Sequence, residues 1–275
     1  MIGALGIADG PAFLRLMKRY VVDYTNSHDQ AQTATIMEPD YVLCMGEHRV
    51  VGRDGAYAAA TRRQMDQFPG LGLTVHEIWT SGERLAMRFS EHGASGRHAG
   101  AQAAWGGIGL YRWNGARLTA NNVEQDYASR ARQLKSGIPL DVEAPAIAPW
   151  DGVGAEPDAA AEEVVRRWLD AGALETAHGV LCDDAWAGVT TPRLIDQDGI
   201  TVDDLFSCGD AVAFHASQRG TLTADAFDGI APGRAVTLHM AGIVHVRQGS
   251  VTHGRVIRNR LDVQRDLMPR EGRAA

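Results

Sequence analysis

One stretch of this chain occurs twice, and the repeat sets the scale of the fold. Val75–Glu83 is answered by Val202–Asp210 and Arg84–Arg88 by Ala211–His215, both at one and the same offset along the chain. Beyond them Gly93 matches Gly220 at that offset, and Gly115 matches Gly249 and Gln133-Leu134 matches Asp266-Leu267 at slightly larger ones. The period is close to half the chain. That is a whole domain, because solenoid units repeat every ~20–50 residues. The chain of 275 residues therefore reads as two domains. A linker is expected between them, since Pro139, Pro145, Pro149 and Pro157 crowd together with Gly152 and Gly154. The predicted boundaries are 1–137 for the first domain, 138–158 for the linker and 159–275 for the second.

Each repeat has the same internal order. Asp9 as N-cap and Pro11 in the first turn predict a helix with Phe13, Leu16, Met17, Tyr20, Val21 and Tyr24 on one stripe. Tyr41–Met45 reads as a strand, and a second helix runs from Gly52 to Phe68, ended by Pro69-Gly70. Strands follow at Val75–Trp79 and Leu85–His92. A Gly/Ala-rich connection then leads to Ile108–Trp113, the turn Asn114-Gly115 and a return strand from Leu118. Strand side chains alternate faces, so Leu118, Ala120, Asn122, Glu124 and Asp126 share one side unless a bulge intervenes. Leu118 and Ala120 mark that side as apolar, which predicts that Asp126 points inward.

The repeats are unequal. The stretch from Arg19 to Gly82 is half as long again as its counterpart from Arg167 to Gly209. The deficit falls on the Arg53–Pro69 helix, replaced in the second half by Pro192–Gly199, so the second domain is expected to lack one wall.

Composition narrows the function. A net charge of −7 opposes a nucleic-acid or anionic-membrane partner. No apolar run approaches the ~20 residues of a membrane span, and the first ten residues lack a signal-peptide pattern. Cys44, Cys182 and Cys208 have no C-x-x-C spacing, which predicts reduced thiols and a cytoplasmic setting. His239 and His245 share a strand face, but without H-x-x-x-H spacing or a paired carboxylate no metal site is expected. Nothing reads as a phosphate loop, so no cofactor is predicted.

The segments Phe68–Leu71, Gly82–Phe89 and Asp126…Gln133-Leu134 resemble the NTF2-like superfamily. So do Gly209–Ala213, Gly220-Thr221, Pro232–Arg234 and Asn259…Asp266-Leu267 in the second half. The likeness is closest to the SnoaL-like polyketide cyclase and ketosteroid isomerase branch. It implies an α+β fold of two tandem cone domains, each a curved antiparallel sheet wrapped on N-terminal helices. It also implies an acid/base aspartate on the final long strand, matched by Asp126 and, in the second half, by Asn259. An oxyanion-donor tyrosine on the first helix is matched by Tyr20, and Trp168 takes its place in the second domain.

This resemblance implies a cofactor-independent enzyme on a small hydrophobic, aromatic, hydroxylated substrate. The leading expectation is a lyase, similar to the γ-formaldehyde lyases of lignin-dimer breakdown. A polyketide cyclase or isomerase is the alternative. An epoxide hydrolase would need Glu124 or Glu47 beside Asp126, and a ligand-binding scaffold would need no buried ionisable group there. Homo-oligomerisation is compatible with such a module. The expected catalytic set is Asp126, Arg88, His92 and Tyr20. The expected substrate-binding set is Tyr24, Asn122, Trp105, Phe68 and Glu124. Against this, the bland alternative for Asp126 is a strand-end salt bridge, for example to Arg130. Arg88, Ser90 and His92 read as an outer face if Met87 and Phe89 are the inner one. Tyr20, Tyr24 and Trp105 read as core, and Glu47-His48 as a solvated turn.

Overall fold

The computed structural model describes residues 11–172, 174, 179–190, 192–224, 226–227 and 229–268. Asp9 and the remainder of the first ten residues lie outside them. In the first half α1 (Ala12–Arg19) continues through a π-helical turn at Tyr20–Thr25 and is followed by the short α2 (Thr33–Ile36). β1 (Met37–Met45) and β2 (His48–Val51) come next, then a second π-helical stretch at Gly52–Tyr57 that runs into α3 (Ala58–Gln67). β3 (Gly72–Ser81), β4 (Arg84–Ala94), β5 (Gln102–Trp113) and β6 (Leu118–Gln125) complete a sheet of order β2-β1-β6-β5-β4-β3, closed by α4 (Tyr127–Ser136). The second half has α5 (Ala159–Asp170), then β7 (Val180–Cys182), β8 (Ile195–Cys208), β9 (Ala211–Leu222), β10 (Ala235–Arg247) and β11 (Ser250–Arg258), and ends in α6 (Arg260–Leu267). Its sheet order is β7-β11-β10-β9-β8.

The two connectivities coincide strand for strand once β2 and α3 are set aside. In both, the strand that follows the first helices lies parallel to the last strand, β1 to β6 and β7 to β11. Each sheet is therefore mixed rather than purely antiparallel. Gly82 and Gly209 stand first in matching two-residue hairpin loops at φ +57° and +59°, the positive φ such loops require there. Asp158 caps α5, accepting hydrogen bonds from the Ala160 and Ala161 amides. The Gly/Ala-rich connection expected before Ile108 is instead the first half of β5, paired along β4.

Each sheet buries its inner face under helices. In the first half Phe13, Leu16, Met17, Val21 and Tyr24 pack on Leu85, Met87, Phe89 and Tyr111. In the second, Ala161, Val165 and Leu169 pack on Val212, Phe214 and Val244. The outer faces then pack on each other. Ala86, Ile108 and Leu110 from one sheet meet Phe206, Ala213, Ala241, Ile243 and Ile257 from the other. Around this patch runs a ring of ion pairs. Arg84 and Arg112 both reach Asp204, at 2.5 and 3.0 Å, and linker residue Glu143 joins Arg88 to Arg255 at 2.6 and 2.7 Å. Three imidazoles of the second half meet three carboxylates of the first: His215–Glu124 at 3.0 Å, His245–Glu77 at 3.1 Å and His239–Glu47 at 2.8 Å.

Burial opposes a charge on His215, but hydrogen bonds to Asp203 and Glu124 outweigh it and raise the imidazole to about 9. A raised folded-state value stabilises the protein fully below the unfolded value near ~6.5, and that contribution is lost as pH rises through about 9. His215→Gln should therefore lower the melting temperature most below pH ~6.5, with the deficit shrinking by pH ~9.5. Melting curves of both proteins across that range check it. A constant deficit would refute it.

Candidate active site

The inner face of the first sheet gathers aromatic hydroxyls around one carboxylate. Tyr20 and Tyr24 lie in the first π-helical turn and Tyr57 ends the second; such turns recur at functional sites. Tyr20 packs at 5.8 Å from both Tyr24 and Tyr111, and Tyr41 meets Tyr57 edge-on at 5.2 Å. Tyr24, Tyr41, Tyr57 and Tyr111 are all buried. Burial raises every one of these five phenols above the ordinary value, so they are proton-bearing donors at neutral pH. The hydroxyls of Tyr24 and Tyr41 and the Asn121 carbonyl oxygen are buried without a hydrogen bond of normal geometry. Close packing here depends on two glycines of β5. A Cβ on Gly107 would stand 2.4 Å from the Phe89 ring, and one on Gly109 would stand 2.8 Å from the Tyr111 ring.

The carboxylate is Glu91. It follows Leu85, Met87 and Phe89 at period two along β4, so it shares their inward face. Only 7 % of it is exposed. Gln64 of α3 donates to its Oε2 at 2.5 Å. Its neighbour across the sheet is Trp105, whose indole N–H donates to Gln125 at 2.9 Å. Burial pushes the Glu91 carboxyl up to about 7, against the pull of the Arg130 guanidinium and these amides. A carboxyl poised near neutrality among protonated phenols suits proton transfer to and from carbon or oxygen.

Of the residues expected from sequence, Tyr20, Tyr24, Phe68 and Trp105 lie on this inner side, with Phe68 against Trp105 at 5.1 Å. The other five lie on the outer face or beyond the strand end. Asn122 donates to Asp204 and Glu124 pairs with His215, both across the sheet interface. Arg88 pairs with Glu77 and Glu143. His92 lies near the end of β4, an interior strand, 3.2 Å from the Thr74 hydroxyl. Asp126 caps α4, accepting the Ser129 amide at 3.0 Å, and both its oxygens accept from Arg260 of the second half, at 2.7 and 2.8 Å. It is buried, yet outside the tyrosine cluster.

The cause is a bulge. Asn114–Arg117 forms the loop, and the pairing slips between Arg112–Ala120 and Trp113–Leu118. Leu118 therefore faces the inner core while Ala120, Asn122 and Glu124 face outward, so Leu118 misreports the side of Asp126. Glu91 is readable from two signals: its parity with Met87 and Phe89, and the shared repeat offset that sets Gln218 opposite it. Among the described residues no group of three His, Cys, Asp or Glu side chains is arranged to hold a metal ion. None of their helices is long and apolar enough to cross a membrane.

Residues 17–121 match the sequence profile of the SnoaL-like domain. This part of the chain is a SnoaL-like domain. No curated protein matches the chain. Similar solved structures include a candidate SnoaL-like polyketide cyclase from Jannaschia sp. CCS1, at 13 % identity over 45 % of this chain and 91 % of that one, with a TM-score of 0.42. Another is IdmH of Streptomyces antibioticus, a candidate polyketide cyclase, at 17 % identity over 44 % and 96 %, TM-score 0.39. A third is AclR of Streptomyces galilaeus, a candidate hydroxylase, at 16 % identity over 44 % and 94 %, TM-score 0.40.

Within the SnoaL-like domain Glu91 has a cost to the fold that a titration exposes. Its folded value near 7 exceeds the ordinary 4.5, so the folded protein holds this proton more tightly and loses stability as pH rises between those values. The loss is on the order of 3 kcal/mol once complete. Glu91→Gln removes it. The variant should melt near wild type at pH ~4.5 and progressively above it by pH ~8; equal melting at both would mean that Glu91 carries no strained charge.

Proposed function

We propose that the first half is a cofactor-independent acid–base enzyme of the cyclase or isomerase type, with Glu91 as the proton-transfer group. The substrate class is a small hydrophobic molecule, aromatic in the finer reading, with a carbonyl or phenolic oxygen. The observation that carries this is a buried carboxyl poised near neutrality on the inner face, surrounded by phenols and held by an amide. Ionised Glu91 takes a proton from the carbon beside the carbonyl, or from a hydroxyl. The Tyr24 and Tyr41 hydroxyls, buried without a hydrogen bond of normal geometry, supply hydrogen bonds to the oxygen on which charge develops. Tyr20, Leu43, Met45 and Met65 are only partly buried. They are the less buried members of this core and would be the side from which a substrate enters; methionines accommodate varied shapes.

The same proton inventory runs in two directions. Forward, an enolate adds to a second carbonyl, which is aldol-type ring closure. In reverse, Glu91 takes the hydroxyl proton of a hydroxymethyl group, the C–C bond breaks, formaldehyde leaves and the enolate is reprotonated. The lyase expected from sequence is this reverse direction.

The second half is read as a support. At the position of Glu91 it has Gln218, an amide bonded to Gln197, and among the described residues it has no counterpart of the helix that brings Gln64. The test is hydrogen–deuterium exchange at carbon beside the carbonyl of aryl ketones, followed by NMR. Exchange should rise with pH to a plateau above about 7. Glu91→Gln should lower it by roughly 10²–10⁴-fold, the usual worth of a general acid or base. Gln218→Leu should leave it within about twofold, being remote from the reacting atoms. Undiminished exchange by folded Glu91→Gln would sink the assignment.

A further inference from the structure

We propose that Arg260, from the second half, is a positioning residue for the Glu91 site, acting through Asp126 and α4. This rests on Glu91 being the working carboxylate. Arg260 holds both oxygens of Asp126, and Asp126 fixes the start of α4 in three ways. Its Oδ1 accepts the Ser129 amide, its carbonyl accepts the Arg130 amide at 3.2 Å, and its own N–H donates to Gly106 of β5 at 2.8 Å. The far end of α4 is tied to the same strand. Gln133 accepts the Ala104 amide at 2.9 Å and donates to the Ala104 carbonyl at 2.7 Å. Between the two ties stands Arg130. Its guanidinium lies 4.0 Å from the Tyr127 ring centre, 5.0 Å from Trp105 and 5.7 Å from Phe68. Trp105 is the cross-strand partner of Glu91, so the charge that stabilises ionised Glu91 is aimed by the register of α4.

The cap in the other half isolates what the charge of Asp126 adds. Asn259 caps α6 with its side-chain oxygen, accepting the Asp262 amide at 3.3 Å, and makes no ion pair. Asparagine and aspartate cap helices equally well. The aspartate is thus not needed for capping alone; its charge answers Arg260. A second tie runs beside it, where Arg132 of α4 reaches Asp184 at 2.7 Å, and Asp184 with Asp183 also flanks Arg260 at 3.4 and 3.3 Å. Burial raises the Asp126 carboxyl against the pull of Arg260, and the neighbouring Asp183 and Asp184 carboxylates add to the rise. Without Arg260 the start of α4 loses its ionic tie to the second half, α4 shifts against β5 and Arg130 loses its place over Trp105.

The experiment is a carboxyl ¹³C NMR titration of the full chain labelled at glutamate, with the Glu91 signal assigned by its loss in Glu91→Gln. Arg130→Gln should raise the Glu91 midpoint, as removal of a nearby cation must. Arg260→Ala should raise it by roughly half a pH unit or more, and Arg260→Lys should return it part-way. Should Arg260→Ala fail to fold, Asp126→Asn keeps the cap, removes the ion pair and should give the same upward shift. An unchanged midpoint in folded Arg260→Ala or Asp126→Asn, with Arg130→Gln shifted, overturns the proposal. So does an unchanged midpoint in Arg130→Gln. The titration needs no substrate. A protein that shows the shifts but no proton transfer at carbon would refute the role of Glu91 as base and leave the positioning intact.

Discussion

Two sheets with one covered face each still leave two bare faces, and in this protein each bare face covers the other. That packing governs which residue types each strand carries. Along β4 and β5 the outward positions include Ala86, Ile108 and Leu110, small or branched enough for the opposite sheet to close on them. Around them the interface is strongly charged, and the pairs run in both directions: Arg84 and Arg112 of the first half reach Asp204 of the second. Glu77, Glu124 and Asp126 come from the first half, answered by His245, His215 and Arg260 from the second. Buried charges of this kind contribute little net stability, because desolvation offsets most of the attraction. They do specify register. Sliding one sheet over the other would strand several carboxylates without cations, which costs more than any apolar contact regained.

The same arrangement explains the division of labour in the proposal. Once the outer faces are committed to each other, only the inner faces are left to form a site. The first inner face carries five phenols, Glu91 and an α3 amide, whereas the second carries Val212, Phe214, Ala216 and Gln218. Gln218 occupies the repeat position of Glu91 and is bonded to Gln197. Replacing a carboxylate by an amide removes a titrating group and keeps a satisfied polar core, which is what a supporting half requires.

Much of the architecture is legible in the sequence because it depends on local chemistry. The α+β class with its two sheets and the glycine turns at Gly82 and Gly209 follow from residue identity and spacing. The face of Asp126 is not legible. It depends on a single extra residue, Thr119 between Leu118 and Ala120, and an Asn-Gly pair does not announce such a bulge beyond its loop. Chemistry alone assigns Arg88 and His92 to the site, although Met87 and Phe89 beside them already mark the opposite face as the inner one. Gly106-Gly107 reads as a flexible connection, and only the Phe89 ring lying against Gly107 shows why a strand needs glycine there.

Buried carboxylates are frequent in this fold, and burial alone does not select the one that reacts. Glu77, Glu124, Asp126 and Asp204 all lie between the sheets, and each has a cation or imidazole within about 3 Å. A carboxylate so held exchanges its proton only by giving up a partner, and a partner of each belongs to the other half of the molecule. Glu91 differs in kind. Its close contact is an amide, the cation that acts on it is engaged over Trp105, and Tyr20, Tyr24 and Tyr111, the phenols of the cluster that feel its charge, keep their protons. It can therefore change charge without dismantling the interface. Glu77, Glu124, Asp126 and Asp204 help to hold the two halves together, and that is why Glu91 is the carboxylate we propose takes part in chemistry.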